Sequence, residues 1–241
     1  AVRTAIYFST RGGGHQVIQI TSPTPGDGKS TLAANLAISI ANSGKRVLLV
    51  DADFRRPRIH TLLRVPNDVG TADVIEDSVE LLDAVQSPKV DNLSVLTCGK
   101  RRKNPSELLT SRRFEEMLET LREEFELVII DTPPVMAVTD PLNVAPRVDG
   151  VLLVLRLSKN ARSAARQTLD ALEEVGATVL GVVVNGVGGE ESYGTNGYHK
   201  YGYGYSKDYS YGGRNGYGSG GYDDDQTYYA DETEAELSSH E

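Results

Sequence analysis

The chain has 241 residues, a formal charge of −9, one cysteine and no tryptophan. That length supports one well-buried domain with an appendage, the lone Cys98 excludes an internal disulfide and points to a reducing compartment, and no apolar run approaches a membrane span. The acidity is concentrated: from Glu190 onward there are 3 basic and 11 acidic residues, which leaves 22 basic against 23 acidic elsewhere and no basic footprint of a general nucleic-acid binder.

The chain begins at Ala1 with neither methionine nor signal peptide, and is read as part of a longer polypeptide. The first predicted strand is "VIQITS", from Val17. It enters a glycine-rich turn and then "KSTLAANLAISIANSG", a predicted helix with Leu32, Leu36 and Ile40 on one face and a stop at Gly44. The strands "RVLLVDAD" and "NLSVLTCG" follow. Next comes "NPSELLTSRRFEEMLETLREE", read as one helix with Asn104 as its cap, Pro105 in its first turn, and Leu109, Phe114, Met117, Leu118 and Leu121 as a buried stripe. After the strands "ELVIIDTPP" and "GVLLVLRLS", the helix "NARSAARQTLDALEEVG" repeats Ala161, Ala165, Leu169, Leu172 and Val175. "TVLGVVVNG" is the last strand.

All six strands are apolar almost throughout, as strands buried on both faces must be. Strand–helix alternation with right-handed crossovers predicts an α/β fold: a mostly parallel sheet of the P-loop NTPase type with helices on both faces. That domain is expected over residues 1–187. Over residues 188–241 large aliphatics vanish until Leu237, and Gly, Tyr, Ser, Asn and Asp take over. Such a segment cannot bury enough apolar area to offset its ordering entropy, so a disordered acidic tail is expected.

"PTPGDGKST" stands between strand and helix, as a phosphate-binding loop requires. Gly26 and Gly28 let the backbone coil so that successive N–H groups face an anion. Lys29 supplies a point charge for the β- and γ-phosphates, Ser30 a hydroxyl for Mg²⁺, and the helix N-terminus a partial positive charge. The usual pattern begins with glycine where this chain has Pro23. Asp51 and Asp53 end one strand and Asp131 ends another. In a parallel sheet these ends share the edge where ligands bind, so loop and acids converge on a predicted Mg-nucleotide site. The four histidines show no metal-ligand spacing, and Cys98 reads as a small core residue.

"PGDGKST", "VDADFRRP", "IIDTPP", "NPSELL", "VTD…DGVLLV" and a C-terminal tyrosine cluster occur in that order. In this the chain resembles the bacterial tyrosine kinases of capsule and exopolysaccharide synthesis. The resemblance implies ATP and Mg²⁺ as cofactors and autophosphorylation of the tail. It implies a phosphate loop of Gly26, Asp27, Gly28, Lys29, Ser30 and Thr31, with Lys29 and Thr31 on phosphates and Ser30 on Mg²⁺. Asp53 and Asp131 would position the metal, directly or through water, while Asp51 takes the proton of the attacking tyrosine; the division of labour between Asp51 and Asp53 is left to geometry. Asn185 resembles an adenine contact, with a plain turn former as the alternative. Arg55 would help position phosphates or pair with an acid. Arg3 matches the second arginine of a segment used in ring contacts between subunits. Thr24 stands where the related partition ATPases often carry a signature lysine.

The acceptors implied are Tyr193, Tyr198, Tyr201, Tyr203, Tyr205, Tyr209, Tyr211, Tyr217, Tyr222, Tyr228 and Tyr229. The implied partners are other copies in a ring, a membrane polysaccharide co-polymerase, a tyrosine phosphatase and exogenous protein substrates, on the cytoplasmic side of the bacterial inner membrane. Geometry adds an independent expectation. A last strand parallel to the one feeding the phosphate loop releases the tail beside the site, and a 40-residue Gly-rich coil reaches roughly 35 Å. Two rivals stand beside this reading: an ATPase switch of the partition class without protein phosphotransfer, and a self-associating Gly/Tyr tail on a P-loop scaffold.

Overall fold

A computed structural model of the chain describes residue 2, residues 16–102 and residues 104–187. Arg3, the eleven candidate acceptor tyrosines and the predicted tail at 188–241 lie outside the described residues. Six strands form one sheet: β1 (Val17–Thr21), β2 (Val47–Asp51), β3 (Leu93–Leu96), β4 (Leu127–Asp131), β5 (Gly150–Arg156) and β6 (Val179–Asn185). Their order is β3-β2-β4-β1-β5-β6 and every pairing is parallel. The predicted strands are all present.

Burial on both faces follows from the pleat. Ile18, Ile20, Leu49 and Ile129 pack on one side against Leu36, Ala37 and Ile40 of helix α1 (Lys29–Ala41). Their sequence neighbours Val17, Leu48, Val50, Val128 and Ile130 point the other way, into a second layer with Phe114, Leu118 and Leu121. Helices therefore cover both faces, as expected. β6 departs from the sequence reading. It is an edge strand, and Val182 and Val184 are 45% and 43% exposed.

The helix predicted from Asn104 is two helices. α5 (Pro105–Thr110) ends at Ser111, whose extended backbone (φ −72°, ψ 152°) turns the chain, and α6 (Arg112–Glu124) starts there. The Ser111 hydroxyl accepts the Phe114 N–H and caps α6, whereas Asn104 makes no side-chain cap. Between the long elements lie short helices invisible to periodicity: α2 (Ile59–Leu63), α3 (Thr71–Ile75), α4 (Leu81–Ala84) and α7 (Asp140–Val144). The last long helix is α8 (Ala161–Glu174), which buries Thr168 and Leu172. Among the described residues no helix is long and apolar enough to cross a membrane.

At Gly70 the chain passes so close to β3 that a Cβ would lie 2.0 Å from the Thr97 carbonyl oxygen and 2.5 Å from the Gly99 nitrogen. Both are backbone atoms, which cannot swing aside. Gly70→Ala is expected to cost about 3 kcal/mol or more, and Ser111→Ala about 1 kcal/mol. Urea unfolding followed by far-UV circular dichroism measures both, and near-equal losses would contradict the assignment of a backbone clash to one and a lost cap to the other.

Candidate functional site: a phosphate loop facing buried carboxylates

β1 ends at Thr21 and α1 begins at Lys29; the loop between them is fixed from within. Gly26 (φ 82°) and Gly28 (φ 94°) sit in the left-handed region that glycine adopts without strain. The Asp27 carboxylate turns inward. It accepts the Thr24 N–H and hydroxyl at 3.0 Å each and the Arg156 N–H at 3.1 Å, so it ties the loop to the end of β5. Thr24, at the place of the partition-type lysine, is used in that bond. Asn185, at the end of β6, donates from Nδ2 to the Asp27 carbonyl at 2.8 Å. A Cβ on Gly28 would meet the same Nδ2 at 2.7 Å. The Pro23 carbonyl accepts the Met136 N–H and the Ser22 carbonyl the Val135 N–H, which tie the start of the loop to the chain after β4.

The parallel register sets Asp51 of β2 directly beside Asp131 of β4. Asp51, Asp53 and Asp131 are all fully buried. Lys29 is the cation set against them: its Nζ donates to Asp53 Oδ2 at 2.7 Å and to Ser30 Oγ at 3.1 Å, and lies 3.7 Å from Asp131 Oδ1. Asp53 also accepts the Arg56 N–H at 2.9 Å. Asp51 accepts three backbone N–H groups, from Asp53 (3.1 Å), Arg58 (3.1 Å) and Ile59 (3.0 Å). Asp131 differs: no close hydrogen bond reaches its buried oxygens, and Lys29 at 3.7 Å and the Ser30 hydroxyl are the polar groups that favour its charged form.

Burial is the main cause that lifts Asp51 from an ordinary 3.8 to about 8; the charges of Asp131 and Asp53 add to it, while the Ile59 N–H and Lys29 oppose. Burial likewise lifts Asp131 to about 6, held back by Lys29 and raised further by Asp53. A carboxylate held this loosely beside a serine hydroxyl suits Mg²⁺, which keeps several waters and takes one or two protein carboxylates together with phosphate oxygens. Among the described residues no group of three or more His, Cys, Asp or Glu side chains could hold a metal ion unaided. A site completed by phosphates does not require one.

A cleft of about 660 Å³ opens over the loop. One wall is the loop and the first turn of α1, including Ser30 and the exposed Thr31. The other is Arg56, Pro57, Arg58, Thr61 and Leu62, leading into and along α2. Sequence reading missed this second wall, although "FRRP" directly after Asp53 was its signal. Arg55 pairs with neither Asp51 nor Asp53: its Nε donates to the buried Asp140 at 3.0 Å, and Asp140 also accepts the Ser106 hydroxyl. Cys98 is buried in the core and burial pushes its thiol up.

The raised carboxylates fix a sign. Asp51 and Asp131 hold protons in the folded chain that the unfolded chain releases above 3.8. Their contribution is therefore fully present below that value and lost as pH rises through about 6 and about 8. The nucleotide-free protein is expected to melt at lower temperature at pH 8.5 than at pH 5.5. Asp131→Asn, which removes one charge and unburdens Asp51, flattens that slope. A profile equally steep in the variant would show that the acids do not set it.

A family model described as an AAA domain matches residues 15–180. A putative tyrosine-protein kinase, EpsB of Ralstonia nicotianae, is 40% identical over 185 residues, which is 77% of this chain and 25% of that protein. The tyrosine-protein kinase YwqD of Bacillus subtilis is 38% identical, over 77% of this chain and 78% of its own length. The chain thus spans about a quarter of the Ralstonia relative and nearly four-fifths of the Bacillus one. Among solved structures, the kinase domain of the Escherichia coli tyrosine kinase ETK superposes with a TM-score of 0.75 at 34% identity, covering 85% of this chain and 78% of that one. Loop, paired acids and parallel sheet thus occur in a sequence that matches these kinases over most of its length, and the chain belongs to the bacterial tyrosine kinase family.

Proposed function

We propose that this chain transfers the γ-phosphate of ATP to tyrosine hydroxyls, and that its own tyrosines between Tyr193 and Tyr229 are acceptors, served in trans within a ring of copies. The observation that carries this reading is the end of β6. That strand runs parallel to β5 and β1 and finishes at Asn185, which is hydrogen-bonded to the phosphate loop. The segment bearing eleven tyrosines begins 8 residues later in the sequence at Tyr193, about 15 Å of Gly-rich coil away, and its later tyrosines have the reach to serve a neighbouring copy. Tethering at that range gives an effective concentration on the order of millimolar, so weak recognition of each tyrosine suffices.

In this reading the loop N–H groups and Lys29 hold the β- and γ-phosphates, with Thr31 at the helix start, and Asn185 borders the adenine. Ser30, Asp53 and Asp131 would hold Mg²⁺, which when bound neutralises charge on the phosphates. Lys29 can serve the phosphates only by giving up part of its contact with Asp53. The tyrosine oxygen bonds to the γ-phosphorus as the bond to the β-phosphate oxygen breaks, and the hydroxyl proton passes to Asp51. A carboxylate raised to about 8 suits that proton transfer. Asp53, paired to Lys29, suits the metal side.

Each phosphotyrosine adds about −1.5 to −2 charges, so heavy phosphorylation about doubles the acidity of the segment and drives neighbouring copies apart. Through the family, the chain would work at the cytoplasmic side of the inner membrane with a polysaccharide co-polymerase. Its cycle would be reset by a tyrosine phosphatase, and its output would be control of capsule or exopolysaccharide synthesis.

Incubation with Mg-ATP followed by phosphate mapping tests the proposal. The intact chain is expected to carry phosphotyrosine between Tyr193 and Tyr229. Lys29→Met lowers the rate by about 100-fold or more, and Asp51→Asn by about 100-fold or more. A chain ending at Val187 still labels added Lys29→Met protein. Phosphate release without phosphotyrosine would instead favour an ATPase switch of the partition class.

A further inference from the structure

The wall opposite the phosphate loop has no role in nucleotide chemistry as derived so far, yet it is built with care. Asp51 accepts the N–H of both Arg58 and Ile59, so the acid nearest the proton transfer also fixes the start of α2. Asp53 accepts the Arg56 N–H in the same way. The wall is thereby registered to the reacting centre through backbone, while its side chains face the cleft. Leu62, 44% exposed, lines the cleft together with Pro57 and Thr61 and gives that wall apolar surface on which an aromatic ring can pack. The charged residues that line the cleft are Lys29, Arg56 and Arg58, with no carboxylate among the described lining residues. Lys29 is held by Asp53 deep in the floor, whereas Arg58 is exposed at the rim.

The acceptor segment is not uniform in charge. Tyr222 is followed by Asp223, Asp224 and Asp225, and Tyr228 and Tyr229 lie between those acids and Asp231 and Glu232. Tyr198, Tyr201, Tyr203 and Tyr205 have His199, Lys200 and Lys207 as neighbours, and no acid lies between Glu191 and Asp208.

We propose that the Arg56–Leu62 wall is the acceptor-peptide subsite, and that it selects tyrosines flanked by carboxylates. Resting on the kinase reading, this sets an order: Tyr222, Tyr228 and Tyr229 are used before Tyr198 to Tyr205. The ring lies against Pro57 and Leu62, the flanking carboxylates meet Arg58 at the rim, and the hydroxyl points to the floor at Lys29, behind which the acids are buried. Rim charges act through steering and register, so the preference is modest and falls with salt.

The test gives the intact chain Mg-ATP and two synthetic peptides, one spanning residues 219–232 and one spanning 196–207, each resolved by mass. Per tyrosine, kcat/KM is expected to be about tenfold higher for the acidic peptide. The advantage shrinks when Asp223, Asp224 and Asp225 are replaced by Asn, and when salt rises from about 0.05 M to about 0.5 M. Arg58→Glu reverses the order of the two peptides, a result that a misfolded or merely weakened enzyme does not produce. Equal use of both peptides, or an equal loss on both with Arg58→Glu, overturns the subsite while leaving the kinase reading intact. Phosphate release with neither peptide labelled overturns the kinase reading and the subsite with it.

Discussion

Three carboxylates and one ammonium share the water-excluded end of this sheet, and the rest of the site is arranged around that imbalance. Lys29 reaches Asp53 closely and Asp131 at longer range, while Asp51 relies on backbone N–H groups. Backbone dipoles offset part of the charge but do not cancel it, which is why Asp51 and Asp131 sit far above ordinary carboxylates. An unpaired buried charge is costly, and a site in this condition favours any ligand that brings positive charge with it. Mg²⁺ carried on a nucleotide would meet that need at Asp131, which Lys29 reaches only at 3.7 Å. The same imbalance that would draw in a cation-bearing ligand also works against the ionised form of the empty site.

The sheet makes the arrangement possible. β2 and β4 are adjacent although two crossovers separate them in sequence, and their register aligns Asp51 with Asp131. β4 and β5 flank β1, so the strand feeding the phosphate loop is clamped on both sides. Further from the site the same clamp is visible at the opposite end of β1. There partial burial pushes Asp149 up, but Arg122 and the N–H groups of Val17 and Gln16 overcome it and hold the carboxylate below its ordinary range. With β1 tied at both ends, its loop has little freedom to collapse onto the acids.

Legibility in the sequence followed the length and regularity of each signal. The six strands were readable because inner strands of a parallel sheet are apolar on both faces. Their ends placed Asp51, Asp53 and Asp131 on one edge, because parallel strands share a direction. β6 was misjudged as doubly buried: its Val-rich run looks like the others, and exposure of an edge depends on strand order, which composition does not carry. The break at Ser111 was hidden because Leu109, Phe114, Met117, Leu118 and Leu121 all remain on buried surfaces across it. α2 and α3 are only 5 residues each, too short for a period of 3.6 to register. The Arg55–Asp140 pair joins residues 85 apart, and the second wall of the cleft exists only once Asp51 and Asp53 have bound the backbone that follows them.

Gly28 shows how closely loop and strand end are joined. Its φ of 94° alone would favour glycine, and a Cβ there would push the Asn185 Nδ2, 2.7 Å away, off the Asp27 carbonyl. Asn185 in turn holds the Asp27 carbonyl, and the Asp27 carboxylate accepts the backbone N–H of Arg156, the last residue of β5. The phosphate loop, the end of β5 and the end of β6 therefore form one hydrogen-bonded unit. A displacement of the chain where it leaves β6 must strain Asn185, and strain at Asn185 is felt at the loop glycine. The coupling between the point where the chain leaves β6 and the phosphate loop thus runs through a single side chain, by a contact that lies within the folded domain.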